Sequence, residues 1–126
     1  DGILGVENFD TTLAEGVMLL TPFAADAEDE ATQAFVKAYQ TAYGETPNQF
    51  AADAYDAVYI IKAALEDNGA TPADTVTVIC DKMKASMAKI TVDGLTGEAM
   101  SWDGDGAVNK APKAMQIVDG NYSLIQ

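Results

Sequence analysis

The fold of this chain is decided by the stretch Phe50-Ala51-Ala52-Asp53-Ala54-Tyr55-Asp56-Ala57-Val58-Tyr59. Apolar residues in and after it recur every three or four positions, as they do on one face of a helix. Because Thr46-Pro47-Asn48 precedes the stretch and Asn68-Gly69 follows it, the pattern predicts a helix from Gln49 to Asp67. Its apolar stripe is expected to pack in the core: Phe50, Ala54, Ala57, Val58, Ile61 and Leu65.

Upstream of this helix the sequence predicts a second helix and a strand. Acidic residues at positions 26, 28, 29 and 30 precede apolar positions of helical spacing over residues 31–42, and Gly44 can take the left-handed conformation that ends a helix. Gly16-Val17-Met18-Leu19-Leu20-Thr21-Pro22 is a short continuous apolar run closed by proline, which predicts a strand buried on both faces. Residues 6–13 have room for one or two helical turns capped by Asn8 or Asp10.

Downstream, helical periodicity gives way to strands and tight turns. Thr71-Pro72-Ala73-Asp74 is expected to start a third helix whose apolar stripe includes Cys80, so we expect this thiol in the core. Four short strands are predicted after it, at residues 90–92, 97–102, 113–118 and 122–125. Asp119-Gly120 is a strong hairpin signal between the last two. Helices therefore come first and hairpins last.

Composition excludes several classes of function. The chain has 126 residues, of which 48% are hydrophobic, enough for one domain or part of one. Its net charge of −13 would be repelled by nucleic acid, and because the acidic residues are spread along the chain we interpret them as a solvated surface. With no His and one Cys, the usual donors for zinc sites and catalytic triads are missing. We therefore expect no enzyme activity, metal or cofactor.

Four local features have a structural and a functional interpretation. Asp103-Gly104-Asp105-Gly106 departs from the calcium-loop order at later positions, so a turn is favoured over a metal site. Gly94-Leu95-Thr96-Gly97 lacks the helix and Lys of a phosphate loop and is interpreted as a bend into a strand. Asp53 and Asp56 could share a proton, but exposed, separately ionised carboxylates are favoured. Four tyrosines at four-residue spacing on two helices could line a groove, but packing in the core between the helices is favoured: Tyr39, Tyr43, Tyr55 and Tyr59.

A set of collinear motifs carries a family resemblance. The first motifs resemble, in order and spacing, those of the solute-binding proteins of branched-chain amino acid ABC importers. They are Asp1-Gly2, Ala14-Glu15-Gly16-Val17 and Thr21-Pro22-Phe23. The downstream motifs continue the match through the stretch from Phe50 to Tyr59 and through Gly94-Leu95-Thr96-Gly97 to Asp105-Gly106. Together these pieces cover nearly the whole chain, which resembles the leucine/isoleucine/valine-binding, type I periplasmic family.

The resemblance implies an α/β fold of two lobes joined by three crossovers, of which this chain would supply the C-terminal portion. Residues 1–15 would end a second-lobe segment, and residues 16–22 would be a crossover strand. Residues 23–112 would form first-lobe helices and a hairpin, and residues 113–126 the last crossover and the C-terminal strands. The start at Asp1-Gly2, a turn pair, also suggests the middle of a gene product.

The resemblance also assigns roles to two residues and names partners. The carboxylate at Asp1 would receive the α-ammonium of an amino acid, of branched-chain type by default, and Phe50 would pack against the ligand side chain. The partners implied are this small ligand, an ABC permease in the membrane and the N-terminal portion of the same protein, at an extracytoplasmic location in the periplasm or lipid-anchored at the cell surface. Exchange of segments between copies of this chain is the alternative to association with that N-terminal portion. An alternative is a ligand-sensing regulatory domain of the same fold.

Overall fold

The structure, a computed structural model, describes residues 2, 3 and 6–125. Its elements are a short 3-10 helix, three strands and three α-helices. The 3-10 helix spans Thr11–Ala14, and Asp10 caps it as the sequence allowed, because its side chain accepts a hydrogen bond from the Thr12 amide. The remaining elements, in chain order, are β1 Met18–Thr21, α1 Glu30–Tyr43, α2 Gln49–Asp67, α3 Val76–Met87, β2 Lys113–Val118 and β3 Asn121–Leu124.

Local signals set the ends of the helices. The Asp29 side chain accepts a hydrogen bond from the Thr32 amide at 2.8 Å and so caps the start of α1, while Gly44 ends it with φ 75°. The predicted bounds of α2 are confirmed at both ends. The start predicted for α3 is wrong, because the side chain of Asp74 binds the Thr71 amide at 2.8 Å and closes a turn there. Helix α3 begins only after Thr75, whose hydroxyl caps it.

One compact unit comprises residues 1–52 and 111–126 and contains the sheet. The strands are antiparallel in the order β1-β2-β3, with Leu19 opposite Met115 and Met115 opposite Leu124. The predicted hairpin is confirmed: Asp119 and Gly120 both have positive φ, at 49° and 74°, as a two-residue turn between twisted strands requires. The core of this unit lies on one face of the sheet: Ala24, Ala27 and Met115, with Leu19, Tyr122 and Leu124 against it.

A second compact unit comprises residues 53–110. It contains most of α2, all of α3 and an irregular segment after α3. Of the strands predicted at 90–92 and 97–102 only single bridges form, Val92 with Met100 and Trp102 with Val108. Turns interrupt longer pairing, since the Asp103 side chain accepts hydrogen bonds from the amides of two later residues, at 3.0 and 2.8 Å.

Burial departs from the sequence prediction in β1, at Cys80 and along α2. Strand β1 is covered on one face only, because Met18 and Leu20 are 71% and 69% exposed on the face opposite the core. Cys80 is exposed, so the prediction that it lies in the core is wrong. The stripe of α2 is largely open as well, with Val58 65% exposed and Ile61 46%. Periodicity found these apolar faces, but no described residue covers them.

Candidate functional site

Phe50 is the sequence-predicted site residue that the structure describes. Its side chain is 58% exposed, so its ring lies at the surface instead of in the core that periodicity predicted. Gly2 lies beside it, since a Cβ added at Gly2 would be 3.5 Å from Cε2 of the ring. Asp1 lies outside the described residues. The structure therefore brings an exposed aromatic ring next to the residue that follows Asp1.

The first turn of α2 positions Phe50. The Asn48 side chain accepts a hydrogen bond from the Ala51 amide at 3.1 Å, and its backbone carbonyl accepts one from Ala52 at 3.3 Å. These bonds occupy amides that would otherwise have no partner at a helix start. Gln49, the first residue of the helix, accepts a hydrogen bond through Oε1 from the Thr21 hydroxyl at 2.7 Å. Phe50 thus lies in a first helical turn that Asn48 caps, directly after a residue that is hydrogen-bonded to the end of β1.

The four tyrosines form one tilted pair of rings on each helix. Ring centroids are 4.6 Å apart for Tyr39 and Tyr43 on α1, and 4.7 Å apart for Tyr55 and Tyr59 on α2. Core packing is wrong for three of them, because Tyr43 is 69% exposed, Tyr55 41% and Tyr59 48%. A hydrogen bond with the Tyr59 side chain, together with partial desolvation, raises the pKa of Tyr55. The Tyr55 phenol is therefore neutral near pH 7.

Asp56 is a buried carboxylate that sequence reasoning placed at the surface. Its side chain is saturated by one loop: Oδ1 accepts from the Leu95 amide at 2.9 Å, and Oδ2 from the Thr96 amide at 2.8 Å and hydroxyl at 2.6 Å. Gly94 leaves room for this contact, because a Cβ there would lie 2.6 Å from Oδ2. We call Asp56 and residues 94–96 the Asp56 latch. The Gly-Leu-Thr-Gly motif could have indicated it, since a glycine beside a loop often marks a close approach.

The carboxylates of α2 hold structure and do not form a proton-sharing pair. Asp53 is paired with Lys110, whose Nζ lies 2.9 Å from Oδ1, while Asp56 is occupied by the latch. The predicted turn at Asp103 is present, and no group of three His, Cys, Asp or Glu side chains suited to a metal ion occurs within residues 2, 3 and 6–125. None of the described helices combines the length and apolar content needed to cross a bilayer.

A family model and several solved structures match this chain. The family model described as "Periplasmic binding protein" matches residues 6–121. No curated protein matches the chain. Among solved structures, a protein from Rhodospirillum rubrum named as a branched-chain amino acid ABC transporter is 30% identical, with a TM-score of 0.65 over 94% of this chain and 35% of its own.

Two further structures show how ligands vary among similar proteins. An ABC transporter substrate-binding protein from Desulfitobacterium hafniense, solved with Leu, is 25% identical with a TM-score of 0.74 over 90% of this chain and 32% of its own. A solute-binding protein from R. palustris, solved with benzoate, has a TM-score of 0.72 at 18% identity over 89% of this chain and 29% of its own. The chain therefore spans about a third of the length of the solved structures it matches.

Proposed function

Because the chain belongs to the periplasmic binding protein family, we propose that it is the C-terminal part of the solute-binding component of an ABC importer. The observation that carries the proposal is the family match over residues 6–121 together with the 30% identity to the Rhodospirillum rubrum protein. Members of this family bind solutes and perform no chemistry, and the family is extracytoplasmic. We extend both properties to this chain: it has no enzyme activity, and it works in the periplasm or lipid-anchored at the cell surface.

We propose further that the ligand is an amino acid, with the branched-chain type as the default, and that it lies between two lobes. The similarity to a leucine-bound protein supports this ligand class, whereas the benzoate-bound structure, at lower identity, supports the fold alone. In this proposal Asp1 receives the ligand's ammonium and Phe50 covers its side chain. The exposure of Phe50 supports that role, because an aromatic ring at a binding surface contributes apolar contact without occupying the core.

The proposed layout places residues 1–15 and the end of residues 113–126 in the second lobe, residues 23–112 in the first lobe, and crossovers at residues 16–22 and 113–118. The antiparallel pairing of β1 with β2 supports it, because the two segments proposed as crossovers lie side by side, with Thr21 opposite Lys113. The partners in this proposal are the permease and the rest of the same polypeptide. The open faces of Met18, Leu20 and Val58 support association with further protein surface, including exchange between copies.

Calorimetry of the full-length protein that contains this sequence tests the proposal, with a panel of amino acids and aromatic acids. We expect saturable binding of leucine, isoleucine or valine. Phe50→Ala should weaken it by about 10- to 100-fold, as expected for loss of roughly 1.5–3 kcal/mol of apolar burial. Asp1→Asn should weaken amino-acid binding by at least about tenfold, through loss of a charge-assisted hydrogen bond.

Tyr43→Ala is a matched control, since it removes an aromatic ring that is 69% exposed at the end of α1 and has no proposed ligand role. Its affinity should equal that of the wild type. Absence of saturable binding to every member of the panel would overturn the proposed function, and equal effects of Phe50→Ala and Tyr43→Ala would overturn the role of Phe50.

A further inference from the structure

One hydrogen bond joins the end of β1 to the start of α2. Thr21 is the last residue of β1 and is only 4% exposed, and its Oγ1 donates to Oε1 of Gln49 at 2.7 Å. The contact spans 28 residues of sequence. The competing acceptor for the same proton, the carbonyl of Phe23, lies farther away at 3.3 Å. The bond to Gln49 is therefore the favoured one, and it is shielded from water on the threonine side.

Because the bond between Thr21 and Gln49 borders a cavity, it is important for positioning the start of α2. Both side chains line a cavity of about 400 Å³ that is bounded by β1, residues 46–49 and the turn between β2 and β3. Across a cavity there are few van der Waals contacts to hold neighbouring elements in register. A directional hydrogen bond then carries more of the restraint between the two elements than it would in a packed interface. The restraint acts on Gln49, the residue directly before Phe50.

We propose that Thr21 is a positioning residue: through Gln49 it fixes the first turn of α2 against the end of β1 and thereby holds the Phe50 ring in its ligand-contacting place. Thr21 itself does not touch the ligand in this arrangement. This inference rests on the proposed function for its effect on affinity, but the restraint on the helix start exists with or without ligand. It links the strand proposed as a crossover to the side chain that covers the ligand.

The test uses the full-length protein with Thr21→Val, which keeps the shape of the side chain and removes the hydroxyl, and Thr21→Ser, which keeps the hydroxyl. Thr41→Val is the matched control, because the Thr41 hydroxyl donates only to the Lys37 carbonyl of its own helix in the described contacts. Leucine is the calorimetric probe. We expect Thr21→Val to weaken leucine binding by about five- to tenfold, with Thr21→Ser within about twofold of wild type and Thr41→Val unchanged.

Two readouts separate positioning from general destabilisation. In a Phe50→Ala background, Thr21→Val should no longer change the leucine affinity, because Thr21 acts through the missing ring. In the unliganded protein, the amides of residues 50–53 should exchange hydrogen faster in Thr21→Val than in Thr21→Ser or wild type. A loss of affinity that is equal with and without Phe50 would overturn the inference.

Unchanged amide exchange at residues 50–53 would also overturn it, and this result can be obtained even if leucine does not bind. A wild-type protein that binds no member of the ligand panel but shows faster exchange in Thr21→Val would instead overturn the proposed function and leave the restraint in place. The two failures are therefore distinguishable.

Discussion

Helix α2 presents two faces of opposite character. One face carries Asp56, a carboxylate that is 3% exposed and accepts three hydrogen bonds from the loop at residues 95–96. The other carries Val58 and Ile61, apolar side chains that are 65% and 46% exposed. The packed face of α2 is therefore the one on which this carboxylate lies beside the fully buried Ala52 and Ala64. The comparison teaches that burial follows from what a neighbouring segment offers, here three donors in one loop, and not from the polarity of the helix face alone.

The largest expected effect is at the packed face. Asp56→Ala should lower the free energy of unfolding by about 3–5 kcal/mol, because it leaves the donors of Leu95 and Thr96 buried without an acceptor. Urea unfolding of the full-length protein at pH 7 measures it. Asp53→Ala is the matched control on the same helix, and removing its partly exposed pair with Lys110 should cost no more than about 1 kcal/mol. Equal losses would contradict the difference between the two carboxylates.

The second prediction probes the loop side of the Asp56 latch. Gly94→Ala should lower the free energy of unfolding by about 1–3 kcal/mol, because the added Cβ would lie 2.6 Å from Oδ2 of Asp56 and must displace the carboxylate. Gly104→Ala is the control, since nothing lies within 4 Å of a Cβ there and its φ is not positive. It should be neutral within about 0.5 kcal/mol. An unchanged free energy of unfolding in Gly94→Ala would show that the Asp56 carboxylate can move away from residue 94 without loss of stability.

The third prediction is that a carboxylate which accepts fewer hydrogen bonds contributes less to the free energy of unfolding. Asp29 caps α1 through the Thr32 amide, so Asp29→Ala should cost about 1 kcal/mol, and Asp29→Asn, which can still cap, only a few tenths. Desolvation opposes the charged form of Asp29, but hydrogen bonds from Thr32 and the charge of Lys113 outweigh it and lower the pKa of this carboxyl.

The pH dependence of the Asp29 cap follows from that direction. Because the folded pKa lies below the unfolded value of about 4, the stabilisation is complete above that value and is lost as the pH falls through the folded pKa. The difference in unfolding free energy between wild type and Asp29→Ala should therefore shrink between about pH 5 and pH 2. A difference that stays constant over this range would contradict the assignment.

The parts of the fold and of the candidate site that could be predicted are those set by residues close together in sequence. The bounds of α1 and α2 and the hairpin at Asp119-Gly120 follow from caps, periodicity and turn residues within a few positions, and all three are confirmed. The saturation of Asp56 could not be predicted, since its partners lie 39 and 40 residues away and only the folded chain brings them together. The stripe of α2 was found by its spacing, but spacing does not say what covers it.

The smallest expected effects are at exposed side chains of α2 and α3. Cys80→Ser should change the free energy of unfolding by less than about 0.5 kcal/mol, because the thiol is exposed on α3. The native chain should also react with a thiol reagent at the rate of an accessible cysteine. Val58→Thr should be equally mild in this chain, where Val58 is 65% exposed. A Cys80 thiol that reacts only after unfolding would show that this side chain is covered in the native protein.

The two compact units also differ in how their segments are ordered along the chain. Residues 53–110 form one unit from a continuous segment, whereas the other unit joins residues 1–52 to residues 111–126. In the unit made of two segments, the Gln116 side chain donates a hydrogen bond to the Gly16 carbonyl, 100 residues away in sequence. During translation at about 5–20 residues per second, β1 therefore waits on the order of 5–20 s for its partner strand to be made. Until then the edge of β1 that pairs with β2 has no partner, so the ribosome-bound chain is vulnerable to aggregation through this strand.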